Sequence, residues 1–130
     1  MKMLAIADRS PKESIKSTVK GEGIDLICTL GDLDLFSLIE LKEITDIPKI
    51  GVYGNHDSGM YFESLGIEDM HLKTFEHGGL LFGGFDGCVR YKSGSYGKMY
   101  TQEEAMEMIK EFPRVDVLIA HSPPYGVNDE

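Results

Sequence analysis

Long apolar runs are missing from this sequence. Stretches such as Val117-Leu118-Ile119-Ala120 are far too short to cross a bilayer, so no membrane segment is expected. Basic charge is scarce as well: 13 Lys and Arg stand against 22 Asp and Glu, a formal net charge of −9. That balance argues against general binding to nucleic acid or anionic membranes, which needs clustered cations. It leaves room for a substrate phosphate held through metal ions, because carboxylate ligands themselves add negative charge. Cysteine is nearly absent. Cys28 and Cys88 lie far apart without C-x-x-C spacing, and Cys28 sits in an apolar run, so a reduced thiol in a cytoplasmic protein is expected. The N-terminus has one Lys and few apolar residues before Asp8, unlike a secretory leader. Disulfide scaffolds and collagen-like repeats are thereby excluded. What is present, 130 residues with 42% hydrophobic and 27% charged, has the size and balance of one globular domain over residues 1–130.

Apolar strands alternate with helical patterns along the chain. Met1–Ala7 reads as a buried strand stopping at Asp8. Ser10-Pro11-Lys12-Glu13 then reads as a helix start with Ser10 as N-cap, and Gly21 as its stop. Ile24–Leu30 is a second strand before Gly31-Asp32, and Leu35, Leu38, Ile39 and Leu41 form a helical stripe closed by Pro48. Lys49–Tyr53 is a third strand, ending in Gly54-Asn55-His56-Asp57, and Met60 to Met70 is weakly helical, broken by Gly66. His71–His77 and Leu80–Phe85 flank Gly78-Gly79 as a hairpin, with a further short strand at Cys88–Tyr91 and a Gly/Ser loop over Lys92–Lys98. Thr101 and Glu104 form a capping box for a helix that turns Ala105, Met108, Ile109 and Phe112 inward. Val115–Ala120 is a last buried strand before His121. This order predicts an α/β fold built on a mainly parallel sheet.

Polar residues follow four of these strands: Asp8, Asp32, Asn55-His56 and His121. Ligands of open α/β sheets bind beyond the carboxyl ends of the strands, so four distant segments would meet on one rim. Oxygen donors with imidazole suit Mn, Fe, Zn, Ni or Mg better than Cu(I) or an iron–sulfur cluster. Taken singly, each has a plainer explanation. An Asp after a strand is often a turn or a cap, and a His before two prolines is often a loop residue. His71 and His77 read as surface or sheet-edge residues, and Met99, Met106 and Met108 as packing. The joint spacing carries the functional reading.

Ala7-Asp8, Gly31-Asp32-Leu33-Asp34, Gly54-Asn55-His56-Asp57 and Ala120-His121-Ser122-Pro123-Pro124 resemble, in order, the motifs of calcineurin-like metallophosphoesterases. The resemblance runs over essentially the whole chain and implies an αββα sandwich with a two-metal site. Asp32 would bridge the ions, Asp8 would serve the first, and Asn55 and His121 the second. His56 would face the phosphate, and Asp57 would orient His56 from behind. The implied activity is hydrolysis of a phosphodiester or phosphomonoester by metal-activated water, using one or two divalent ions.

Two departures stand out. The family's opening Asp-x-His reads Asp8-Arg9-Ser10 here, and its closing Gly-His-x-His is absent before Glu130. The chain is therefore expected to be a C-terminally short member, weak or inactive in this form. The alternative is a non-catalytic metal- or phosphate-binding module needing a partner chain. An incomplete second sheet would leave Leu80, Phe82 and Phe85 uncovered, so a homo-oligomer or a complementing chain is expected.

Overall fold

The computed structural model describes residues 1–57, 60–89 and 99–122. Four strands, β1 (Met3–Ile6), β2 (Leu26–Thr29), β3 (Lys49–Gly51) and β4 (Glu68–Asp69), form one parallel sheet in that order. A hairpin of β5 (Thr74–His77) and β6 (Leu80–Phe85) begins the second sheet, and the short β7 (Cys88–Val89) and β8 (Met99–Tyr100) pair with each other. The last strand, β9 (Val117–Ala120), runs parallel to β6. Three helices, α1 (Ile15–Glu22), α2 (Phe62–Leu65) and α3 (Gln102–Ile109), and a 3-10 turn at Ile39–Glu43 complete a mixed α/β architecture. Cys88–Tyr91 is described only through Val89, and the Lys92–Lys98 loop and Pro123-Pro124 lie outside the described residues.

Alternation along β2 sets the layering. Ile27 points to the helices, packing with Ile15, Leu38, Leu41, Phe62 and Leu65. Leu26 and Cys28 point the other way, into a core with Ile50, Val52, Met70, Phe82 and Ile119 that joins the two sheets face to face. Complete burial of each large apolar side chain contributes about 1.5–3 kcal/mol. One reading needs correction here. The strand before His121 belongs to the second sheet, Phe85 opposite Ala120, and not beside β1–β3. A short apolar run looks the same in either sheet; here β9 lies along β6, with Ile119 in the core and Leu118 54% exposed.

Of the residues expected on a bare apolar face, Phe82 is 1% exposed and Leu80 packs against the same core, while Phe85 is half-buried. The outer face of the second sheet is met by Phe112 and Val115, which fill the space where Gly83 lacks a side chain. Among the described residues the sheet still ends in β5 and β9 as edge strands, and Leu118 of β9 is 54% exposed. The capping box of Thr101 and Glu104 is formed, but Ile109 and Met106 of α3 are exposed. Phe112, beyond the helix end, makes the expected inward contact, against Gly83.

Local chemistry explains the shifted helix boundaries. Ser14, not Ser10, caps α1, and Glu40 reaches in from the 3-10 turn to accept from Ser14 Oγ at 2.6 Å, Ile15 N at 3.0 Å and Lys16 N at 3.3 Å. These bonds, Ser14's first, hold the Glu40 carboxyl below its ordinary range. Ser10 Oγ lies 2.5 Å from Ser37 Oγ. The helix ends on Gly23 in the left-handed region at φ 64°, two residues beyond Gly21. The stripe at 35–41 runs through turns into the 3-10 element Ile39–Glu43 and is not an α-helix: Leu38 and Leu41, three apart, are fully buried while Leu35 and Ile39 are exposed. No helix among the described residues is long and apolar enough to cross a membrane.

Burial pushes the Cys28 thiol from its ordinary value of 9.0 up to about 12. The raised value means the neutral thiol is favoured in the fold, so its contribution is fully present below pH 9.0 and is lost as pH rises toward 12. Urea titrations at pH 8 and pH 10.5 should show wild type losing about 2 kcal/mol more than Cys28→Ala over that interval. Equal losses in the two proteins would contradict the burial argument.

Candidate metal centre

Asp8 and Asp32, the residues closing the ends of β1 and β2, both have left-handed backbones, at φ 64° and 56°. Among the described residues only Leu72 shares this among non-glycines. The conformation costs an L-residue about 1–2 kcal/mol and is tolerated best by Asp and Asn. It persists where surrounding bonds impose it. Here they do: Asp8 N donates to the Gly31 carbonyl at 3.1 Å and Leu30 N to the Ile6 carbonyl at 2.8 Å, tying the two strand ends together.

Two glycines let a third loop close on them. A side chain at Gly31 would lie 2.4 Å from Gly54 N and 2.8 Å from His121 Nδ1. One at Gly54 would lie 2.2 Å from Asp32 Oδ1 and 2.8 Å from His121 Cε1. Only bare backbone fits between the loops. Ligand atoms of Asp8, Asp32 and His121 consequently lie within 4.8 Å of one another, although β9 comes from the other sheet. Asp8 is exposed, and Asp32 and His121 are half-buried.

The orientation of His121 follows from its neighbours. Its Nδ1 lies 2.7 Å from the Leu30 carbonyl, which can only accept, so Nδ1 carries a proton. Nε2 is turned toward Asp32 Oδ2 at 3.2 Å. A backbone carbonyl fixing one ring nitrogen while the other faces carboxylates is the usual posture of a ligating imidazole.

Asp57 holds the rim together. Its carboxylate accepts from Asp32 N and Leu33 N, both at 2.9 Å, from Gly54 N, and from the Tyr61 hydroxyl at 2.5 Å. Burial, followed by the bond to Asp57, pushes the Tyr61 hydroxyl well above its ordinary range, so it stays a donor. Sequence reasoning set Asp57 behind His56; these bonds make it a clamp on the Asp32 and Gly54 loops. His56 is exposed, and its backbone N donates to Asp32 Oδ1 at 2.8 Å. Asn55 is half-buried between two residues whose backbones lie against Asp32.

A second polar group went unread in the sequence. Asp86, fully buried beyond β6, accepts from the Tyr100 hydroxyl at 2.5 Å, and its N–H donates to His71 Nδ1 at 3.0 Å. His71, expected at the surface or a sheet edge, bridges to Gly84 of β6, is half-buried and stacks on Tyr100. Gly87 continues to the same rim, its N donating to the Tyr53 carbonyl and its carbonyl accepting from Ser122 Oγ. The missed signal was the same one: Asp86 also follows an apolar strand.

The donor set of two carboxylates and an anchored imidazole fits a divalent ion of the Mn, Fe, Zn, Ni or Mg kind. Compared with known proteins, the chain matches no family model, no curated protein and no solved structure.

Proposed function

We propose that this chain is a metal-dependent phosphoesterase of the calcineurin-like type, its two stacked sheets forming the centre of that family's sandwich. The observation that carries the reading is the convergence of Asp8, Asp32 and His121, 113 positions apart at the extremes, within 4.8 Å. Asp8, Asp32 and His121 would hold the ion, with Asn55 as a neutral oxygen donor beside them. When bound, a divalent ion supplies Lewis acidity to the phosphoryl group and acidifies water.

The chain's own residues take the remaining roles. Asp57 and Tyr61 keep the Asp32 and Gly54 loops in contact, so the donors are set before substrate arrives. The Leu30 carbonyl keeps the proton of His121 on Nδ1 and leaves Nε2 for ligation. The His56 ring, exposed at the rim, would give a proton to the leaving oxygen as the P–O bond breaks.

With added Mn²⁺, bis-p-nitrophenyl phosphate should release p-nitrophenolate, and both a chelator and Asp32→Asn should abolish the release. Loss of a direct ligand should cost about 100-fold or more in metal affinity, since outer-shell partners alone cost 10–100-fold. Metal binding without turnover would turn the assignment to a binding module. A chain that binds no metal would overturn it.

A further inference from the structure

Outside the candidate ligand set, Asp86 and His71 hold a conflict at one atom. His71 Nδ1 lies 3.0 Å from Asp86 N and 3.1 Å from Asp86 Oδ1. An imidazole nitrogen serves only one of these at a time. Unprotonated, it accepts from the N–H; protonated, it donates to the carboxylate and has no lone pair for the N–H. The carboxylate is fully buried and accepts from the Tyr100 hydroxyl on the same Oδ1 at 2.5 Å, and His71 stacks on that tyrosine's ring. Burial, followed by the bond to Asp86, raises the Tyr100 hydroxyl above its ordinary range, so it remains a donor wherever histidine titrates.

Both ends of this contact are tied to backbone that would register a change. Leu72, next to His71, is the third non-glycine with a left-handed backbone, at φ 56°. A bulky residue is held there only by its surroundings. Leu72 N donates to the Gly84 carbonyl at 2.9 Å, and Lys73 N to the Met70 carbonyl at 3.0 Å. On the other side, Gly87 N donates to the Tyr53 carbonyl and the Gly87 carbonyl accepts from Ser122 Oγ. Tyr53 precedes Gly54 and Ser122 follows His121, so a shift at Asp86–Gly87 reaches two loops of the candidate centre. Among the described residues, the charged and titratable groups about His71 come from four elements. They are Asp86 at the end of β6, Asp69 of β4, whose Oδ1 accepts from His71 N at 3.1 Å, Tyr100 of β8, and Glu104 of α3 behind Tyr100. The carboxylates stabilise an imidazolium, whereas the Asp86 N–H stabilises the neutral ring. We infer that His71 and Asp86 form a proton-operated latch: the neutral ring holds the Asp86 amide, and the imidazolium exchanges it for the Asp86 carboxylate, shifting the Gly87 backbone against the candidate centre. The latch needs only the fold and is independent of the phosphoesterase assignment.

NMR titration of the whole chain from about pH 5 to 8, the span in which histidine changes charge, reads both ends of the latch. Above its midpoint the His71 ring should carry its proton on Nε2, and below it on both nitrogens. The Asp86 and Gly87 amide signals should move at that same midpoint. His71→Phe keeps a ring against Tyr100 and should abolish the inflection at Gly87, leaving the titrations of His56, His77 and His121 in place. Asp86→Asn keeps the amide and removes the charge, so it should lower the His71 midpoint by about one pH unit or more. A neutral His71 protonated on Nδ1, a Gly87 signal that ignores the His71 midpoint, or one that survives His71→Phe overturns the latch. The wild-type titration alone is decisive should either variant not fold.

Discussion

Replacing His56 with alanine should lower turnover of a phosphoester by about 10²–10⁴-fold, the range of a lost general acid, with metal affinity almost unchanged. The separation follows from the atom through which His56 meets Asp32. Its backbone N–H, which the variant keeps, donates to Asp32 Oδ1 at 2.8 Å, while the residue itself is exposed at the rim. Nothing in the contact with Asp32 depends on the imidazole. Metal binding by titration calorimetry and turnover of bis-p-nitrophenyl phosphate, run on the same preparation, read the two effects apart. Parallel losses of metal and turnover would show that the ring is a ligand and not the proton donor.

Asp57→Ala should act differently, on stability and metal affinity together. The carboxylate accepts from three backbone N–H groups, those of Asp32, Leu33 and Gly54, and from Tyr61. Alanine leaves part-buried donors without an acceptor, at a cost of about 3 kcal/mol. It also releases the left-handed backbone of Asp32, so metal affinity should fall about 10–100-fold although no ligand has been touched. Denaturant unfolding and metal titration check both. A folded variant with wild-type metal affinity would show that the clamp does not position Asp32.

The difference between these two variants also shows where a sequence is readable. Asp8, Asp32 and His121 stood out because each ends an apolar strand, and strand ends converge in any α/β sheet. The period of the pattern does not say which sheet a strand joins, so β9 could be found as a strand and still be placed beside the wrong neighbours. The function of Asp57 was hidden for another reason. Two of its partners are the backbone amides of Asp32 and Leu33, 25 and 24 positions away, and backbone donors leave no mark in the sequence. Glu40 capping α1 from a distant turn is the same case. His71 and Asp86, 15 residues apart on different elements, meet only because Gly84 pairs with His71 across the sheet. The 3-10 turn after Asp32 was misread because apolar spacings of three and four are common to both helix types over so short a stretch.

Manganese anomalous diffraction from crystals soaked in Mn²⁺ tests the central claim most directly, because it reports position rather than activity. The expected result is a peak within coordination distance of Asp8, Asp32 and His121 Nε2, lost in crystals of Asp32→Asn. A peak elsewhere on the molecule, or none at saturating Mn²⁺, would contradict the assignment of this rim as a metal centre.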